Sequence, residues 1–372
     1  MSFINYLINY PGFRTNRKIV VFESDDWGSI RMPSREIYDR CLRSGYPVHL
    51  NPYERYDSLA SEDDLELFFG LLGLFTDSQG NNPVITANCV VANPDFEKIK
   101  NADFNEYHFE SIVETFKKYP KHSKCFDLWK DGYSSKVFFP QFHAREHLNV
   151  SKFMQALSTK NMDAHFAFNS NMPGSISRDS KIKGNLYVEA THYKSDRDKT
   201  NKLNIYLEGL DLFEKLFGYK SKSIVPTNYI WSPDYFESIS KKGVEFIQGT
   251  VKYREPNVKK DIYHKRFMGQ KNAYNQIDLL RNCTFEPTTS GPDSLKNCLS
   301  DIDIAFRMKK PAIICTHRIN YVGYISQTNR DKNLKTLNYL IKAILKKWPE
   351  TEFMNSVTLG ELIKNENSNT SF

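Results

Sequence analysis

Short β-branched runs alternate with amphipathic stretches of helical length along this 372-residue chain, and that alternation constrains the fold more than any other feature. Residues 18–23 (KIVVFE), 84–91 (VITANCVV), 136–139, 164–169 (AHFAFN), 223–230, 244–249, 277–285, 311–316 and 352–355 read as strands. Residues 61–75, 109–119, 151–160, 204–217, 233–242, 293–308 and 333–348 read as helices, the first opening on a Ser-x-x-Asp cap. Strand, loop and helix in repetition build βαβ units around a mostly parallel sheet. With no Gly-rich dinucleotide fingerprint, this many strands predict an irregular (β/α)7–8 barrel and not a Rossmann sheet. One domain is expected over residues 1–363. The long polar stretch 172–202 reads as an inserted loop, a lid or an interaction surface, and the Asn/Ser-rich tail 364–372 as disordered.

Composition narrows the function classes. Hydrophobic residues make up 40% and aromatics 14%, enough for a large core. The net charge of +7 is spread over 51 basic and 44 acidic residues, with no dense basic stripe, so no nucleic-acid partner is expected. Six cysteines without a CxxC pair suit a reducing compartment better than a disulfide scaffold. Residues 1–11 are apolar but lack a basic start and a small-residue cleavage site, and they are too short to span a membrane. A cytoplasmic location is expected; the oligomeric state is left open.

Polar residues gather where strand runs end, the place parallel barrels put their chemistry. Asp25-Asp26 follows the first run, and two neighbouring carboxylates can divide cation binding and proton transfer between them. His143 and His147 are four apart, a spacing that on a helical turn lets both imidazoles reach one ion. Thr316-His317-Arg318 leaves the apolar run PAIIC, placing a histidine for proton transfer. One Asp with two His is an open catalytic set for a divalent ion.

In that order, and with the closing segment FMNSVTLGELI (353–363), these motifs resemble the polysaccharide deacetylase superfamily, the NodB-homology fold of carbohydrate esterase family 4. The resemblance spans residues 18–363. It implies Asp25 as general base, Asp26, His143 and His147 as metal ligands, and His317 as general acid. It implies zinc first, with cobalt, nickel or iron accepted by the same ligand set. Trp231-Ser232-Pro233-Asp234-Tyr235 stands where the family has Arg-x-Pro-aromatic, so Trp231 replaces the arginine that orients the base, Pro233 is kept, and a backbone N–H near Asp234 or Tyr235 is the candidate oxyanion donor. Ala144 stands at the family's Ser or Thr, and Asp293 is the candidate partner for His317. Trp27, Arg145, Trp231, Pro233, Tyr235 and Arg318 are candidate substrate contacts, with Asn320 beside them. Glu286, after the 277–285 run, reads like these flanking residues, a substrate contact or, in preference, a local salt bridge, and His165 and His264 read as ordinary.

The expected function is removal of an N-acetyl or O-acetyl group from an amino sugar or polysaccharide precursor in surface-glycan metabolism. The alternatives are a metal-dependent amidase on another small C–N substrate and a degenerate barrel that only binds glycan.

Overall fold

All but the first residue of Lys18–Trp27 (β1) is buried. A strand covered on both faces needs apolar residues at successive positions, and its opening run KIVVF supplies them. The computed structural model describes residues 3–173, 176–179, 187–257 and 260–369. After β1 come Ile85–Val90 (β2), Phe138–Ala144 (β3), Ser223–Ile224 (β4), Phe246–Gly249 (β5), Ile277–Leu280 (β6), Cys283–Thr284 (β7), Ala312–His317 (β8) and Thr351–Met354 (β9). Every pairing among them is parallel, in the spatial order β6-β5-β4-β3-β2-β1-β8-β7. β9 pairs with the first half of β1, from Lys18 to Val21, below the point where β2 joins at Phe22.

The two edge strands, β6 and β7, lie at opposite ends of that order, yet only Arg281 and Asn282 separate them in the chain. The Arg281 N–H donates to Gly249 at the end of β5 (2.8 Å), and the Asn282 N–H donates to Ile313 in β8 (3.2 Å). A link this short spans at most about 11 Å. The sheet therefore curls until its edges meet, giving the irregular (β/α) barrel that the alternation predicts. Aromatic rings fill the layer behind it: Trp27 lies against Phe68 and Phe138, and Trp129 against Phe116 and Phe138.

Several local expectations need correction. Residues 164–169, expected as a strand, lie within or just after the helix Met162–Phe168, capped by Asn161, which accepts from the Ala164 N–H. Its buried residues are Ala164, Ala167 and Phe168, the i, i+3, i+4 spacing of one helix face, which the short apolar run concealed. The helix expected from residue 204 begins at Asp196, capped by Ser195. Its polar first turns carry Asp196 and Asp198, which favour a helix N-terminus while looking like loop. Of the expected insertion 172–202, residues 174–175 and 180–186 lie outside the described residues. The expected disordered tail is helical to Asn369, because Ser356–Asn369 is one helix anchored by buried Leu359 and Ile363, and residues 370–372 lie outside the described ones.

Candidate active site

Adjacent residues on a regular strand point to opposite faces, so Asp25 and Asp26 could not serve one site without a break in the pleat. β1 supplies that break. Its register against β2 slips between Ser24 and Trp27, three steps on β1 matching two on β2, and Asp26 sits at φ 73° in the left-handed region. A bulge of this kind re-aims side chains at the rim of a barrel. β3 repeats the device: Cys89 and Val90 of β2 pair with Phe142 and Ala144, leaving His143 as the extra residue. His147 follows in the loop after β3. The two histidines therefore do not share a helical turn, as their spacing suggests, but come from a bulge and the loop beyond it.

Both imidazoles face Asp26 Oδ1, His143 Nε2 at 3.7 Å and His147 Nε2 at 3.5 Å. Two ligand atoms bound at 2.0–2.2 Å in tetrahedral geometry lie about 3.4 Å apart, close to both of these separations, and the three residues' ligand atoms all lie within 4.8 Å of one another. Outer contacts support the fit. The His143 ring is fixed through Nδ1 to the Val225 carbonyl at 2.7 Å, turning Nε2 toward Asp26. Burial pushes the His147 imidazole down to about 3, so it is neutral and its lone pair is free for a cation. Burial would lift the Asp26 carboxyl, but Arg31 and the two imidazoles outweigh it and hold the group well below the usual carboxylate range.

Asp25 faces the other side of the same space. Burial opposes its ionisation, yet Arg281 grips it with two 2.7 Å hydrogen bonds, from Nη1 to Oδ2 and Nη2 to Oδ1, and keeps it charged. The same guanidinium donates from Nε to buried Glu23 (2.6 Å), and Asn88 adds a 2.8 Å bond to Asp25 Oδ1. His317 Nε2 lies 3.8 Å from Asp25 Oδ2, while its Nδ1 is 2.6 Å from Glu286 Oε1. Burial works against the imidazolium, but the Glu286 charge and hydrogen bond raise the His317 pKa well above its ordinary value.

Asp25, Asp26, His143, His147 and His317 all line one cavity of about 310 Å³, together with Arg31, Asn51, Tyr53, Val188, Pro226, Asn228 and Tyr229. Val188 comes from the polar stretch expected as a loop. Glu286, Cys315 and His317 form a second cluster of possible ligands. There the Arg281 guanidinium stands 3.3 Å from the Cys315 sulfur, a poor neighbour for a cation.

The six expected substrate contacts lie elsewhere. Trp27 is buried in the ring layer, its Nε1 donating to Ser24. Arg145 is clamped by Glu146 and Glu208 and stacked over Phe109. Trp231 is buried against Tyr206 and Tyr235, and Tyr235 is buried with its hydroxyl on the Lys199 carbonyl. The Tyr235 N–H is already donated to Ser232, which removes it as oxyanion donor. Arg318 is fully buried against Asp57 (2.9 Å). Pro233 starts a 3-10 turn beside them. For Trp231, Pro233 and Tyr235 the cause is one misplaced strand end. β4 stops at Ile224 and not at residue 230, because Pro226 and the left-handed Asn228 and Tyr229 turn the chain away, so Pro226 reaches the cavity and Pro233 does not.

Two contacts at the site escaped the sequence reading. Arg281, and not position 231, holds Asp25, and Glu286, not Asp293, pairs with His317. Arg281 lies inside the run 277–285 and Glu286 directly after it, the only sequence signal either one gives.

No protein-family model and no curated protein matches the chain. Among solved structures it is similar to Puue allantoinase (TM-score 0.48, 10% identity, 95% of each chain). It is also similar to a proposed polysaccharide deacetylase from Mycobacterium smegmatis (TM-score 0.47, 8% identity, 96% of this chain and 94% of that one). A third is 4-alpha-glucanotransferase from Thermococcus litoralis (TM-score 0.45, 8% identity), which matches 92% of this chain while the chain spans 40% of its length.

Proposed function

We propose that this chain is a metal-dependent hydrolase that removes an N-acetyl or O-acetyl group from an amino sugar or polysaccharide precursor. The observation that carries the reading is one cavity holding a three-atom cation corner on one side and a charged acid–base pair on the other. Asp26, His143 and His147 would hold a divalent ion, zinc first. When bound, such an ion lowers the pKa of water and polarises a carbonyl.

The remaining steps belong to the chain's own groups. Asp25, kept ionised by Arg281, takes a proton from the attacking water. Arg281 and Asn88 fix both of its oxygens, so the base does not swing during the transfer. His317, held protonated by Glu286, gives its proton to the departing amine or alkoxide. Tyr53, whose ring meets His317 edge-on at 5.8 Å, and Arg31, Asn51 and Asn228 offer the polar contacts for sugar hydroxyls.

The test is acetate release from N-acetylated sugar nucleotides and oligosaccharides by metal-loaded protein. Asp25→Asn is expected to retain the metal and lose about 10²–10⁴ in rate. A fully metallated wild type that is silent on every acetylated sugar but cleaves small amides would replace the deacetylase reading with the amidase one.

A further inference from the structure

Among the described residues, thirteen large hydrophobic side chains are exposed, and six of them come from two short segments: Leu7 and Tyr10 in one, Ile262, Tyr263, Phe267 and Tyr274 in the other. The segments meet. The Phe13 N–H donates to the Met268 carbonyl at 2.7 Å, and a Cβ added at Gly12 would stand 2.8 Å from the Phe267 ring. Between them runs a groove of about 940 Å³ whose apolar lining is Leu7, Ile8, Pro11, Val251 and Phe267. Scattered exposed apolar residues are normal, whereas a concentrated patch marks an interaction surface.

Charge says what kind of surface it meets. Lys252 and Lys265 also line the groove, and they face each other across the antiparallel ribbon Lys252–Glu255/Ile262–Lys265. Like charges directly opposite on paired strands are destabilising. The nearby acids do not relieve them: Glu255 is taken by His264, Asp261 by Arg254 and Asp278 by Arg266. Among the described residues the one acid lining the groove is Asp301, which accepts from Asn5 at 2.6 Å and not from either lysine. What is left is two exposed ammonium groups with no ion-pair partner among the described residues, beside exposed aromatic and aliphatic side chains, the composition of an element lying in a lipid interface.

We propose that this patch seats the chain on the surface of an anionic lipid bilayer, with Leu7, Phe267 and the tyrosines at the headgroup boundary and Lys252 and Lys265 on lipid phosphates. No helix among the described residues is long and apolar enough to cross a membrane, so the contact is peripheral. Arg281 lines this groove and grips Asp25, which puts the patch next to the catalytic cavity. The proposal stands whether or not the cavity is hydrolytic.

The test is flotation of the full chain with phosphatidylcholine vesicles and with vesicles doped with phosphatidylglycerol, at low and high salt. The expected result is binding to the doped vesicles only, weakened by salt. The double variant K252Q/K265Q should lose about thirtyfold in affinity, roughly fivefold per lysine. L7S/F267S should abolish what binding survives high salt, with thermal melts and sedimentation velocity run on every variant. Failure of the wild type to float with doped vesicles, or binding that neither double variant weakens, would overturn the proposal. So would a lipid-free dimer that L7S/F267S converts to monomer, since the patch would then join two copies.

Discussion

Replacing Glu286 by Gln tests the electrostatic part of the His317 assignment. Gln keeps the shape and can still accept from Nδ1 (2.6 Å) through its one amide oxygen, but its NH2 then faces the Asn320 amide, so the 2.8 Å bond that the second carboxylate oxygen accepts is lost too. The charge beside His317 goes with it. A hydrogen bond to a charged partner contributes about 1.5–3 kcal/mol, and one pKa unit is 1.36 kcal/mol, so the His317 pKa should fall by about 1–2 units. The carboxylate raises the folded-state pKa, so the acid form is present below that pKa and disappears as pH rises through it. In Glu286→Gln the alkaline limb of kcat/KM should therefore move to lower pH by the same amount. The assay is acetate release against pH, paired with an NMR titration of the His317 ring, which needs no turnover. A uniformly slower enzyme with an unmoved alkaline limb and an unmoved His317 titration would refute the reasoning and leave Glu286 as packing.

Three further outcomes follow from the geometry. His143→Ala removes one corner of the cation site and should weaken zinc affinity by more than the 10–100-fold typical of an outer contact, measured by competition with a chromophoric chelator. Arg318→Met leaves Asp57 buried with only the 3.6 Å contact to Arg31, so urea unfolding should show a loss of about 3–5 kcal/mol with KM unchanged, whereas a raised KM at unchanged stability would restore Arg318 as a substrate contact. Gly360→Ala would bring a Cβ within 2.4 Å of the buried Phe246 ring, and the overpacking, about 1–3 kcal/mol, should outweigh the roughly 1 kcal/mol gain in helix propensity, read as a lower urea midpoint.

The strands and the polar residues that line the cavity were legible because burial writes itself into sequence. Runs such as KIVVF and PAIIC are covered on both faces, and the residues that leave them, Asp25, Asp26 and His317, land where parallel strands end. What stayed hidden depends on backbone events that composition does not encode. Nothing in Ser24-Asp25-Asp26-Trp27 announces a bulge, and nothing in Phe142-His143-Ala144 announces the second one. Pro226 and Pro233 are equally good strand terminators on paper, and two left-handed residues after Pro226 decide between them. Arg281 and Glu286 were missed for a different reason. Each works on a partner far along the chain, and a single sequence gives no hint that position 281 lies against position 25.

The short bridge between the sixth and seventh strands carries one more implication. Arg281 is both the stitch that brings the rim of the barrel full circle and the hand on Asp25. Loosening that stitch, by heat, denaturant or mutation anywhere along residues 277–284, should free the Asp25 carboxylate, the base of the proposed reaction, before the rest of the molecule comes apart. Loss of turnover would then act as an early gauge of ring opening, ahead of any change in overall helix content.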